Sequence, residues 1–134
     1  MSMSAIPVVV DHDAKTSSWV FEDSEIQEFV YPEGKSVFDP DVELTPNPAY
    51  RPDLDVNFAN GNAHRVMDAI GLGERFEEGF GYEVAIDDFI AAAGRALAQL
   101  TGTGTSADVH RRIARILVAA TEGRQRGATH LMLA

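Results

Sequence analysis

Three asparagines, a glycine and a histidine crowd into the stretch "NFANGNAH", as Asn57, Asn60, Gly61, Asn62 and His64. Amide side chains at the start of a helix can hold an anion or a nucleotide phosphate, because backbone N–H groups point outward there and the dipole favours negative charge. Arg65 follows in the same turn. The spacing is not a P-loop, which needs a longer glycine loop and a lysine, and it is not a dinucleotide-binding fingerprint. The competing reading is architectural. Asn60 or Asn62 caps the helix, Gly61 takes a positive φ, and Asn57 bonds across to a neighbouring loop. Asn57, Asn60, Asn62 and His64 are the candidate ligand-binding residues, and capping is the expected role.

Other patterns offer less chemistry. His64 and Asp68 stand four apart and share a helix face, but two ligands do not make a metal site. The tripeptide Asp11–His12–Asp13 is expected to end a strand, and no metal is expected there. No G-x-S-x-G occurs, and the acidic pairs Asp87–Asp88 and Glu77–Glu78 fit a helix start and a loop. No catalytic residue, metal or cofactor is assigned.

The chain of 134 residues fits one domain, and 45% hydrophobic residues suffice for a core. The absence of cysteine excludes disulfides, thiolate zinc sites and cysteine nucleophiles. No apolar run nears the roughly 18 residues that span a bilayer, and the start has no basic segment of the signal-peptide kind. The expectation is a cytoplasmic protein without membrane contact, or one acting in a host cytoplasm if phage-encoded.

The net charge of −10 is unevenly placed. Residues 1–55 carry 12 acidic and 3 basic side chains, and residues 56–134 carry 9 and 8. Direct nucleic-acid binding is not expected, since phosphate affinity comes mainly from lysine and arginine. Arg111, Arg112 and Arg115 form a basic strip that Arg124 and Arg126 extend; its expected role is to meet acidic residues of the first part or a second subunit.

Those features need elements to position them. Residues 1–52 are acidic and proline-rich, with one or two hairpin-like strands and then an extended arm over 39–52. Residues 53–134 form the compact part. Leu54, Val56 and Phe58 alternate with polar residues as a half-buried strand. Ala63, Val66, Met67 and Ile70 then make one helical face, stopped by Gly71. Phe76, Phe80 and Tyr82 alternate with glycines in an aromatic loop. Ile86, Phe89, Ile90, Ala93, Leu97 and Leu100 stripe a second helix, where the alanines and Gly94 suggest close approach to another element. Thr105 or Ser106 is placed to cap a third helix, with Val109, Ile113, Ile116, Leu117 and Ala120 buried. The end, "ATHLMLA", reads as a strand that could return beside 53–58. The fold class is α+β, a small mainly antiparallel sheet packed with about three helices.

The run "NFANGNAHRVMDAIGLG", followed by "AIDDFIAAAGRAL" and the C-terminal helix and strand, resembles a strand–NxxNxNA–helix pattern of uncharacterised small bacterial and phage proteins. The likeness covers roughly residues 53–134 and implies shared architecture without an activity.

The leading functional expectation is a non-enzymatic module that binds a protein partner. Glu22, Asp23, Glu25 and Glu28 of the acidic part, or Phe76, Phe80 and Tyr82 of the aromatic loop, would make the contact. The first alternative is an anion or nucleotide binder, or an enzyme, centred on the asparagines. The second is an acidic mimic of nucleic acid. A monomer or a homodimer suits all three.

Overall fold

A computed structural model describes residues 2–36, 38–73, 82–100 and 105–134. Among the described residues, seven strands and three helices run in the order β1 (Ser2–Asp11), β2 (Thr16–Trp19), β3 (Phe29–Val30), β4 (Thr45–Pro46), β5 (Val56–Ala59), α1 (Asn60–Ala69), β6 (Tyr82–Ala85), α2 (Ile86–Gln99), α3 (Thr105–Gln125) and β7 (His130–Leu133). A short 3-10 turn covers Asp23–Ile26. The α+β class read from sequence is the observed one, with an antiparallel main sheet and three helices. No helix among the described residues is long and apolar enough to cross a membrane.

The longest strand, β1, organises the sheet. Its first half pairs with β5 (Met3 opposite Phe58) and its second half with β2 (Val8 opposite Trp19). Its middle pairs with β7 (Ile6 opposite Met132), and β7 pairs with β6. The terminal strand therefore does not lie beside β5, as the sequence suggested; β1 comes between them. Alternation sends Met3 and Ala5 of β1, Val56 and Phe58 of β5, Val84 of β6, and Leu131 and Leu133 of β7 into one core. Ala63, Val66, Met67 and Ile70 of α1 meet them there, all buried as expected. So do Ile86, Phe89, Ala93 and Ala96 of α2, and Val109, Ile113, Ile116, Ala119 and Ala120 of α3. Leu117, Ile90, Leu97 and Leu100 pack at the margin.

Two helix ends share one device. In α1 the Gly71 N–H donates to the Asp68 carbonyl and the Leu72 N–H to the Met67 carbonyl, with Gly71 at φ +82°. In α3 the Gly127 N–H donates to Arg124 and the Ala128 N–H to Gly123, with Gly127 at φ +98°. Both are Schellman motifs, and each turns the chain sharply off its helix. The second delivers Thr129 to β1, where its N–H donates to the Val8 carbonyl.

The close approach that Gly94 suggested is made elsewhere. A Cβ on Gly94 would meet nothing within 4 Å, whereas one on Gly123 of α3 would stand 2.3 Å from Pro7 Cβ. Helix α3 therefore rests directly on the central strand. The hairpin joining β1 to β2 ends β1 at Asp11, whose Oδ1 accepts the N–H groups of Asp13 and Ala14. Lys15 closes it at φ 55°. Left-handed backbone costs a side-chain-bearing residue about 1–2 kcal/mol, and glycine's extra chain entropy offsets about 0.5–1 kcal/mol of that. Lys15→Gly is expected to stabilise by about 0.5 kcal/mol, read as a higher urea midpoint.

Candidate functional site

The asparagine cluster is built into the fold more tightly than its sequence suggests. Strand β5 runs into α1 without a loop, so the extended Ala59 (φ −62°, ψ 149°) is the N-cap and Asn60 is already helical. Neither asparagine is the cap. Asn62 instead accepts a hydrogen bond from Arg65 Nη2 at 2.7 Å. Gly61 takes helical backbone within α1 rather than a positive φ. Asn57 Nδ2 donates to Ser4 Oγ at 2.8 Å, so it clips β5 to β1 rather than to a loop. His64 is half-buried one turn along α1. The side chain of Asn60 lies outside the described residues. So do Phe76, Phe80 and the side chain of Tyr82, whose backbone opens β6. No group of three metal-ligating side chains occurs among the described residues.

The acidic residues divide by role. Glu25 is engaged internally: both its oxygens accept from Arg126 Nη1, at 2.9 and 3.0 Å, and Oε2 also accepts the Glu22 N–H. Arg126 reaches Glu122 at 3.3 Å, Glu122 reaches Arg51 at 3.5 Å, and Arg51 grips Asp53 with two bonds of 3.0 and 2.8 Å. This chain of five alternating charges fastens the arm to the last turns of α3. The Arg51 N–H also donates to the Glu25 carbonyl. Of the basic strip, only Arg126 meets an acidic residue of the first part among the described residues, namely Glu25. Arg111 and Arg112 pair with Asp108 of their own helix, and Arg124 pairs with Asp87 of α2. Arg115 makes no ion pair among the described residues.

No family model, curated protein or solved structure matches the chain.

A pocket of about 250 Å³ opens beside β5. Ile26 comes from the 3-10 turn, Tyr50 and Pro52 from the arm, Asp55 and Asn57 from the β5 segment, and Arg115 from α3. Asp55 Oδ1 is buried and has no hydrogen-bond partner among the described residues. Loss of solvent raises the Asp55 carboxyl above its ordinary range. Tyr50 is raised too, first by desolvation and then by Glu28, whose Oε1 accepts its hydroxyl at 3.3 Å. Sequence reasoning singled out Asn57 here but neither Asp55 nor Tyr50.

Acid should loosen the arm. The Glu22 N–H and then Arg126 hold Glu25 below the usual carboxylate range, and Arg51 does the same for Asp53. Depressed carboxyls lend stability that is full above their unfolded values and lost as pH falls through the folded ones. Asp55, raised, has the opposite sign and loses its contribution as pH rises. Amide exchange at Glu25 and Arg51 is expected to accelerate below the ordinary carboxylate range before that of β1 does. Arg126→Ala should bring the same acceleration at neutral pH.

Proposed function

We propose that the chain is a small non-enzymatic interaction protein whose residues 19–46 bind a protein partner with a basic rim around an apolar pocket. The observation that carries this reading is the ribbon β3–β4. Successive strand residues point to opposite faces, yet Phe29 and Val30 are 41% and 44% exposed, so each face of the ribbon leaves a large apolar side chain partly open to solvent. Two short strands are marginal alone in water, and here the charge chain through Glu25 and Arg126 holds them in place.

Further support comes from the residues that flank the ribbon in sequence. Among the described residues, seven of the eight exposed large apolar side chains fall between Val9 and Leu44, including Trp19, Tyr31 and Phe38; Val118 is the eighth. Exposed aromatic groups of this kind are typical anchors of interfaces. Glu22, Asp23, Glu28, Glu33, Asp39, Asp41 and Glu43 make no ion pair among the described residues, and Lys35 is the one basic residue between them. An unneutralised acidic field steers a basic partner inward and loses that effect in salt.

A photo-crosslinking residue in place of Phe38 is expected to give one discrete adduct in cells, with a crosslinked peptide rich in lysine or arginine. The same residue in place of Val118 on α3 should not give it. Reversing Glu22, Asp23 and Glu28 to lysine should slow association about tenfold at low salt and much less at high salt. Equal adducts from both positions, or a contact peptide without basic residues, would sink the proposal. Competition by duplex DNA for the same partner would identify that partner as a nucleic-acid-binding protein.

A further inference from the structure

The pocket beside β5 holds two charged side chains that have no partner among the described residues. The Asp55 carboxylate lines the pocket and makes no hydrogen bond or ion pair among the described residues, and its Oδ1 is closed off from water. Leaving such a group unsatisfied is costly, and folds seldom do so without a reason. Its neighbours do not answer it. The Arg51 guanidinium is committed to Asp53 and Glu122, and the Tyr50 hydroxyl donates to Glu28. The Asn57 amide nitrogen donates to Ser4, which leaves the amide oxygen as a further acceptor on the same wall. Across this wall stands Arg115, exposed and without an ion pair or hydrogen bond among the described residues. Every other arginine on the described part of α3 has a carboxylate partner. Ile26 and Pro52 supply apolar surface between the polar groups.

The wall thus lacks a donor at one point and an anion at another. We propose that the pocket binds a small zwitterion of the α-amino-acid class, with Asp55 receiving the ligand's ammonium group and Arg115 its carboxylate. The ammonium meets the Asp55 carboxylate from the pocket side and gives it the charge partner that it lacks among the described residues, and Asn57 Oδ1 offers a second acceptor. The Arg115 fork suits a planar carboxylate. The side chain of the ligand then rests on Ile26 and Pro52. A pocket of about 250 Å³ lies below the roughly 300–1,000 Å³ typical of drug-sized ligands, which suits an amino acid. The site is separate from the open ribbon, so it stands or falls independently of the partner proposal. Because Tyr50 and Pro52 belong to the arm, ligand binding also ties the arm down more firmly.

The test uses the full chain and three isosteric probes: L-leucine, 4-methylpentanoate (which lacks the ammonium) and isopentylamine (which lacks the carboxylate). Amide chemical shifts of Asp55, Asn57 and Arg115 are followed through each titration. L-Leucine is expected to shift them saturably, and each single-charge analogue should bind at least about tenfold more weakly. L-Arginine and L-glutamate, titrated in parallel, report side-chain preference. Asp55→Asn should weaken L-leucine at least about tenfold while raising the melting temperature, because the unpaired buried charge is gone. A purely structural aspartate would not show that opposition. Arg115→Gln should weaken the carboxylate-bearing probes and leave isopentylamine unchanged. Absence of saturable shifts from all three amino acids at about 10 mM, or unchanged binding in Asp55→Asn, overturns the proposal.

Discussion

Gly123→Ala is expected to destabilise the protein, and Gly94→Ala, the same change on the neighbouring helix, to stabilise it. Both glycines are helical, in α3 and α2, so each substitution carries the same intrinsic gain of about 1 kcal/mol in helix propensity. Their surroundings decide the sign. Nothing lies within 4 Å of a Cβ on Gly94, so that gain is realised in full. A Cβ on Gly123 would stand 2.3 Å from Pro7 Cβ and 2.7 Å from its Cγ, where no van der Waals contact is possible. Relief requires α3 or β1 to move. β1 is held by β7 through the Pro7 register and by β5 and β2 at its two ends. The C-terminus of α3 is fixed by its Schellman bonds, one of which accepts at the Gly123 carbonyl itself. Overpacking in such a place costs about 1–3 kcal/mol and sometimes more. Set against the propensity gain, the net loss for Gly123→Ala is about 2 kcal/mol at the upper end of that range. Gly123→Val should be worse, since a β-branched residue adds bulk and has poor helix propensity. Urea denaturation of the two alanine variants, side by side, checks the claim. A stabilised Gly123→Ala would mean that α3 does not rest on β1.

The contrast between these glycines also marks where sequence reasoning reached and where it stopped. Local periodicity was sufficient for α1: Ala63, Val66, Met67 and Ile70 recur at helical spacing and all are buried, and Gly71 ends the helix with a positive φ. The same holds for Val56 and Phe58 on β5 and for Ile86, Phe89 and Ala93 of the α2 stripe, whose Ile90, Leu97 and Leu100 pack at the core's margin. What periodicity cannot carry is which surface meets which. An alanine-rich helix with a glycine reads as a seam on either helix, and only the packing of α3 on Pro7 shows that the contact falls on Gly123. Strand partners fail for the same reason. The run Ala5–Val10 lies inside the acidic, proline-rich part, yet β1 is the central strand; pairing is settled by contacts across more than a hundred residues, as between Ala5 and Leu133. The asparagine caps were misplaced by one local fact, the direct passage of β5 into α1, which makes Ala59 the cap. The pocket was invisible in sequence because Ile26, Tyr50, Asp55 and Arg115 come from separate segments, and no spacing rule connects them.

Phe89→Ala should produce the largest loss of stability of any single truncation considered, while Phe38→Ala should leave stability untouched. Phe89 is fully buried in α2, among the side chains that join this helix to α3 and the sheet. Its removal forfeits the transfer free energy of the ring and leaves a cavity that α2, packed against α3 and near β6 and β7, cannot close. Such truncations cost about 3–5 kcal/mol. That is a large share of the roughly 5–15 kcal/mol that holds a typical domain folded. Partial unfolding at 37 °C, seen as loss of near-ultraviolet dichroism, is the expected result. Phe89→Leu retains most of the volume and should cost distinctly less. Phe38 is 90% exposed, so its ring has almost no burial to lose. An alanine there is expected to shift the unfolding midpoint by less than about 0.5 kcal/mol. If Phe38 anchors a partner, that variant should instead lose affinity by about tenfold or more, in line with an interface aromatic. The two substitutions separate what the protein needs in order to fold from what it offers to another molecule. A Phe38→Ala variant as unstable as Phe89→Ala would show that the arm is part of the core, and the case for an open binding surface would fall with it.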